Sequence, residues 1–254
     1  MPPVPSDAQL KQDFERDGYV VIRGFLSPTE AAELLRELDR YKREVLPGLP
    51  NTEHFYEIKG KPETLKYLQS LAKHDPYFER LAQDERFLRL ARLFLDDTVI
   101  YKDISLFDKP PRVGAITPAH QDGFYFMLDP MEALTFWLAL DVVDTGNGCV
   151  RYVKGSHREG MRPHRRTATL GFSQGISNYG TPHDQQNEVP IPAQPGDLLI
   201  HHCLTTHRAD ANTSDRHRQA LGLVYYSARA RPDEKRIADY RESLQQELAA
   251  AGKI

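Results

Sequence analysis

The chain has 254 residues and a mass of 29.0 kDa; 40% of its residues are hydrophobic and 27% charged, enough to build one sizeable core. A net charge of -3 excludes a generally basic nucleic-acid binder. No apolar run approaches the roughly 18 residues of a membrane span. The start, MPPVPSDAQLKQDFERDGYV, has no basic stretch followed by an apolar one, and Cys149 and Cys203 make no disulfide framework, so a cytoplasmic location is expected.

The first hundred residues read as mainly helical. Leu10 and Phe14 share a face of a helix over Asp7 to Asp17, which Gly18 stops. Tyr19-Val20-Val21-Ile22 is β-branched and aromatic, a short strand. Ser27-Pro28-Thr29-Glu30 is a capping box with proline at the first helical position. Leu34, Leu35, Leu38, Tyr41 and Val45 then form a helical apolar stripe, and two or three short helices are expected between Pro62 and Leu95 with Leu65 and Leu68 inward.

From Thr98 the pattern changes to strands. Thr98 to Phe107, Leu134 to Val143, Gly148 to Val153, Asp197 to His202 and Arg218 to Ser227 are candidates, with turn signals at Asn147-Gly148 and Pro195-Gly196-Asp197. This spacing favours a β-sandwich or barrel. Ser156 to Pro190 reads as a long polar loop, and Arg231 to Ala250 as a terminal helix. No linker or repeat divides the chain, so one domain is expected over 1–254: a helical region over 1–97, a strand-rich core over 98–228 with the loop 156–190, and a C-terminal helix over 229–254.

Two constellations carry chemistry. In Ala119-His120-Gln121-Asp122, an extended backbone would place His120 and Asp122 on one face, where an imidazole and a carboxylate can grip one ion. The plain alternative is a solvated strand end. In His201-His202-Cys203-Leu204-Thr205-Thr206-His207, any of three histidines could be a third ligand on spacing alone. Two histidines and a carboxylate on one side of a metal suit Fe(II) and leave positions for a cosubstrate and dioxygen. Arg218 lies eleven residues after His207, and a hairpin over 209–216 would bring the two together. A guanidinium there can hold the far carboxylate of a 2-oxoacid in two parallel hydrogen bonds, with Arg216 on the same face as a rival.

These segments resemble the phytanoyl-CoA dioxygenase family of Fe(II)/2-oxoglutarate oxygenases. The resemblance runs from Phe14-Glu15-Arg16-Asp17-Gly18-Tyr19-Val20-Val21-Ile22-Arg23-Gly24-Phe25-Leu26 through Lys109-Pro110-Pro111, His120-Gln121-Asp122, Asn147-Gly148-Cys149, Lys154-Gly155-Ser156-His157 and Pro195-Gly196-Asp197 to His207 and Arg218. It implies a mainly β fold, a double-stranded β-helix (jelly roll, cupin-like) with helices packed at both termini. It implies iron on His120, Asp122 and His207, with His202 as the histidine five residues before the distal ligand, and 2-oxoglutarate on Arg218 rather than Arg216. Trp137 and Ser105 match cosubstrate-lining positions, Lys66 is a looser match, and Ala209 stands where a small hydroxyl residue is common.

The reading is therefore an Fe(II)/2-oxoglutarate-dependent dioxygenase that hydroxylates a small molecule and turns 2-oxoglutarate to succinate. Arginines and histidines at 157–166 make an anionic substrate one option; no nucleic-acid or membrane partner is expected. A non-catalytic jelly-roll module that binds a ligand or senses metal is the alternative. A halogenase is disfavoured, because Asp122 occupies the position that halide would need.

Overall fold

The structure is a computed structural model and describes residues 5–167 and 173–250. The fold is mixed α and β. An antiparallel seven-stranded sheet runs in the order Tyr19–Ile22, Leu198–His202, Ala133–Ala139, Arg218–Ser227, Val99–Lys109, Leu65–Leu68 and His54–Tyr56. A second, four-stranded sheet runs Glu188–Ile191, Val150–Val153, His207–Ala209 and Thr117–His120, also antiparallel.

Strand alternation gives the large sheet two buried faces. Leu134, Phe136 and Leu138 point to one side with Ile104, Leu106, Leu221 and Leu223, against Leu34, Leu38, Phe78 and Phe87 of the helices. Each such side chain contributes roughly 1.5–3 kcal/mol by leaving water. Trp137, Ala139, Leu199 and Ala220 point the other way, toward Val150 and Tyr152 of the small sheet. A cleft between the two sheets is thus walled by one face of each.

The amino-terminal elements follow their sequence signals. The helix Asp7–Asp17 ends at Gly18, whose φ of 81° lies in the left-handed region. A Cβ there would fall 2.4 Å from His157 Nδ1, so glycine is also required for close packing. The capping box forms: Glu30 N–H donates to the Ser27 hydroxyl, and Ser27 N–H to the Glu30 carboxylate, opening the helix Pro28–Glu44. Three helices, Leu71–His74, Pro76–Ala82 and Glu85–Leu95, follow.

Three expectations are corrected. Leu65–Leu68 is a strand, not a helix: Tyr67 pairs with Phe107 and stacks on it at 4.9 Å, so sheet extension outweighs the i, i+3 leucine spacing. The stretch 156–190 is only partly loop, holding strands His164–Arg166, Gln174–Ile176 and Glu188–Ile191 and the helix Pro182–Asn187; residues 168–172 of it lie outside the described residues. The terminal helix begins at Glu234.

Candidate metal centre and its cavity

His120 closes the strand Thr117–His120, and His207 opens the strand His207–Ala209. The two are direct partners in the small sheet, with ring centroids 4.2 Å apart. Asp122 reaches them by a different route from the extended one expected. Its φ of -60° and ψ of -32° are helical, at the start of the turn Gly123–Phe126, so strand alternation does not operate. The turn folds the carboxylate back instead, with Oδ1 3.5 Å from His120 Nε2 and 3.6 Å from His207 Nε2. His120, Asp122 and His207 each offer a ligand atom, all within 4.8 Å of one another; no other such group of His, Cys, Asp or Glu occurs among the described residues.

Backbone carbonyls set the tautomers. His120 Nδ1 donates to Pro118 O at 2.8 Å, and His207 Nδ1 donates to Thr205 O at 3.0 Å. A carbonyl can only accept, so both Nδ1 atoms carry the proton and both Nε2 lone pairs face Asp122. Burial, with His120 alongside, holds His207 well below the usual histidine range. Burial opposes ionisation of Asp122, yet the histidines around it outweigh burial and hold its carboxyl well below the usual range. Two imidazoles and a carboxylate on one side of a point form a facial triad that fits Fe(II).

A cavity opens beside the triad, with Phe107, Trp137, Val150, Lys66, Lys109 and Arg218 in its lining. Arg218 does not reach it through a hairpin. The His207–Ala209 strand pairs within the small sheet, and Arg218–Ser227 pairs with Val99–Lys109 and Ala133–Ala139 in the large one. Arg218 therefore faces the triad from the opposite sheet. It is 4% exposed, its guanidinium lies 5.3 Å over the Trp137 ring, and its Nε has no hydrogen-bond partner. Burial pulls it down to about 10. Arg216 points away and pairs with Asp144 at 2.6 Å near the surface.

The remaining sequence-read residues divide. Trp137, Lys66 and Ala209 line the cavity, Lys66 with its amine 3.1 Å from Glu57. Ser105 donates to Asp103 at 2.7 Å and does not appear in the cavity wall. His202 turns to the helical side, among Phe14 and His157, and accepts the Leu204 N–H. The loop cations are largely engaged: Arg162 is buried against Asp184 at 2.7 Å, His164 stacks on Phe124, and Arg166 covers Tyr240. Arg162 is thereby taken up by Asp184 and not offered to an anionic substrate.

The sequence reading held His201 only as one of three possible ligands and gave Lys109 no role. Lys109, seen there only as part of a motif, lines the cavity beside Arg218; burial pushes its amine down to about 6, with Arg218 and Lys66 adding to the effect. His201 lines it too and bonds the Asp122 carboxylate at 3.0 Å. In the folded strand His201 shares a face with Leu199 and not with Ile200, which sets it on the cavity side.

The family model for phytanoyl-CoA dioxygenase (PhyH) matches residues 14–220. The Bos taurus "Phytanoyl-CoA dioxygenase domain-containing protein 1" is 28% identical over 257 residues, covering 85% of this chain and 88% of that one. Among solved structures, "the epimerase SnoN in complex with Fe3+, alpha ketoglutarate and nogalamycin RO" is 27% identical, covers 89% of this chain and 85% of its own, and superposes with a TM-score of 0.72. A second bovine relative, "Phytanoyl-CoA dioxygenase, peroxisomal", is 25% identical over 235 residues, covering 87% of this chain and 68% of that one. It overturns the expected cytoplasmic location: the absence of a disulfide framework reports on redox state and carries no address. No helix among the described residues is long and apolar enough to cross a membrane. With a facial triad beside a cavity and a family match over most of its length, the chain belongs to the phytanoyl-CoA dioxygenase family of Fe(II)/2-oxoglutarate oxygenases.

Proposed function

We propose that the protein is an Fe(II)/2-oxoglutarate-dependent dioxygenase that hydroxylates a small molecule, built as a single domain on a double-stranded β-helix whose two sides are the facing sheets. One observation carries this reading. A buried guanidinium with an unpartnered Nε faces a His/Asp/His cluster across a cavity. An unpaired buried cation is costly unless an anion completes it.

His120 Nε2, His207 Nε2 and Asp122 Oδ1 would hold the iron. Iron with bound 2-oxoglutarate supplies the activation of dioxygen, coupled to loss of carbon dioxide from 2-oxoglutarate, formation of succinate and oxidation of a substrate C–H. Arg218 orients the cosubstrate by its far carboxylate, and the indole of Trp137 fixes the plane of the guanidinium. Phe107, Trp137 and Val150 keep water from that end of the cavity.

The test is anaerobic titration of 2-oxoglutarate into Fe(II)-loaded protein, followed by succinate release on admitting oxygen. A metal-to-ligand absorption band and slow succinate formation are expected. Binding without succinate under any substrate favours the non-catalytic module. The likeness to an epimerase supports a second outcome of the same chemistry, C–H abstraction without hydroxyl return, and product analysis separates the two.

A further inference from the structure

We propose that a buried relay, Tyr152 to His201 to Asp122, holds the triad carboxylate so that it offers the metal only Oδ1. His201 acts in it as a positioning residue. The inference rests on the metal reading above and concerns how this chain fixes its acidic ligand.

The relay crosses the molecule. Tyr152 belongs to the small sheet and His201 to the large one, and they are 0% and 2% exposed. The Tyr152 hydroxyl lies 2.8 Å from His201 Nδ1. A phenol is protonated at neutral pH and can donate this bond. Asp122 Oδ2 faces the other ring nitrogen and can only accept, so His201 Nε2 carries a proton and Nδ1 accepts from the phenol. That N–H donates to Asp122 Oδ2 at 3.0 Å. The Thr135 hydroxyl donates to the same oxygen at 2.5 Å. Both lone pairs of Oδ2 are thus engaged, by residues on neighbouring strands of the large sheet. Oδ1 meets the Nε2 lone pairs of His120 and His207.

Geometry separates this role from mere satisfaction of buried polar groups. Tyr152 engages only Nδ1 of His201, and the Nε2–H goes to the one carboxylate oxygen that does not face His120 and His207, where the Thr135 hydroxyl also converges. A carboxylate held this way cannot swing to turn Oδ2 toward His120 and His207. His201 is no ligand here, because its Nε2 faces Oδ2.

The experiment measures metal binding alone. Mn(II) is titrated into metal-free protein, with the free-ion EPR signal giving the affinity, and Co(II) absorption reports coordination. Removing an outer partner of a metal ligand weakens binding by about 10- to 100-fold, and His201→Leu is expected in that range with an altered cobalt spectrum. His201→Gln keeps an N–H donor and should recover most of the loss. Tyr152→Phe should shift affinity in the same direction by less, since Nδ1 then loses its donor but the Nε2–H survives. Those last two variants keep the test decisive if the leucine variant fails to fold. Parental affinity and spectrum in His201→Leu, or a glutamine variant no better than leucine, overturns the relay. No Mn(II) binding by the unmutated protein overturns the metal reading itself, and the relay with it.

Discussion

Arg218 should act on cosubstrate and not on the stability of the empty protein. Its guanidinium is 4% exposed and has no ion-pair partner among the described residues. Burial pulls it down to about 10, a shift worth about 3 kcal/mol against the charged form. Arg218→Met removes that cost and keeps most of the volume, so the metal-loaded protein without 2-oxoglutarate should melt no lower than its parent. Cosubstrate binding should suffer instead. A charge-assisted hydrogen bond contributes about 1.5–3 kcal/mol, and two act together. Lys66 and Lys109 line the same cavity, and their amines can donate hydrogen bonds to the carboxylate. The net loss is about 10- to 1000-fold in affinity, at about 1.4 kcal/mol per tenfold. Arg218→Lys should recover only part, because a point charge cannot reproduce the planar fork. Arg216→Ala is the control, being paired with Asp144 away from the cavity. Calorimetry of 2-oxoglutarate into anaerobic metal-loaded protein reads the affinity, and a melt without cosubstrate reads the stability. Equal losses at Arg216 and Arg218, or an empty Arg218→Met protein that is several kcal/mol less stable, would refute the reasoning.

Three further outcomes follow from named contacts. His120→Ala, Asp122→Ala and His207→Ala should each abolish stoichiometric metal binding, whereas His202→Ala should leave it intact; metal analysis after dialysis distinguishes them. Arg162→Ala strips the buried Asp184 of its partner at 2.7 Å and should cost about 3–5 kcal/mol in urea unfolding. Burial, with His157 and His201 beside it, pushes His202 down to about 4. The unfolded imidazole, near 6.5, binds its proton first, so this contribution is full above about pH 6.5 and is lost as pH falls toward 4, by up to about 3 kcal/mol. His202→Gln should flatten that slope, and urea midpoints at several pH values between 7.5 and 4.5 would show it.

What was legible in the sequence follows from how local its cause is. Ser27, Pro28 and Glu30 specify a helix start by themselves, and the structure forms it. Arg218 to Ser227 has a continuous apolar run, and the strand has those bounds. Thr117–His120 was not visible as a strand, because Pro118 argues against one and its pairing with His207 is long-range. His201 and His202 could not be told apart by composition. Leu198-Leu199-Ile200 is buried on both faces, so the run carries no polar alternation to mark which side the site lies on. The resemblance identified the three triad residues, but not the helical turn that brings Asp122 to them, which is fixed by tertiary contacts such as Gly123 N–H to Cys203 O.

The eleven-residue step from His207 to Arg218 has a structural meaning that the hairpin reading obscured. It takes in the short strand His207–Ala209 and the chain over 210–217 that crosses from the small sheet to the large one, and Asn212 anchors the crossing. Its amide donates to Lys109 O at 2.7 Å and to Arg216 O at 2.6 Å, and its side-chain oxygen accepts from Ser214 N–H at 2.9 Å. Its own backbone N–H donates to Gly114 O. At 1% exposure, it ties the crossing to the strand that carries Lys109 and to the residue before His217-Arg218. Asn212→Ala leaves those buried carbonyls without a donor, at about 1–3 kcal/mol in stability. If the crossing sets the separation between metal and anchor, 2-oxoglutarate affinity should fall severalfold while metal affinity holds, since the triad belongs to the small sheet and its adjoining turn. Thr213→Ala is the comparison, because its hydroxyl meets Gly146 O at the exposed side. Calorimetry on both variants, with metal and then with cosubstrate, decides the matter. Lost stability with unchanged 2-oxoglutarate affinity would mean that the crossing only packs, and that Arg218 is positioned by its strand alone.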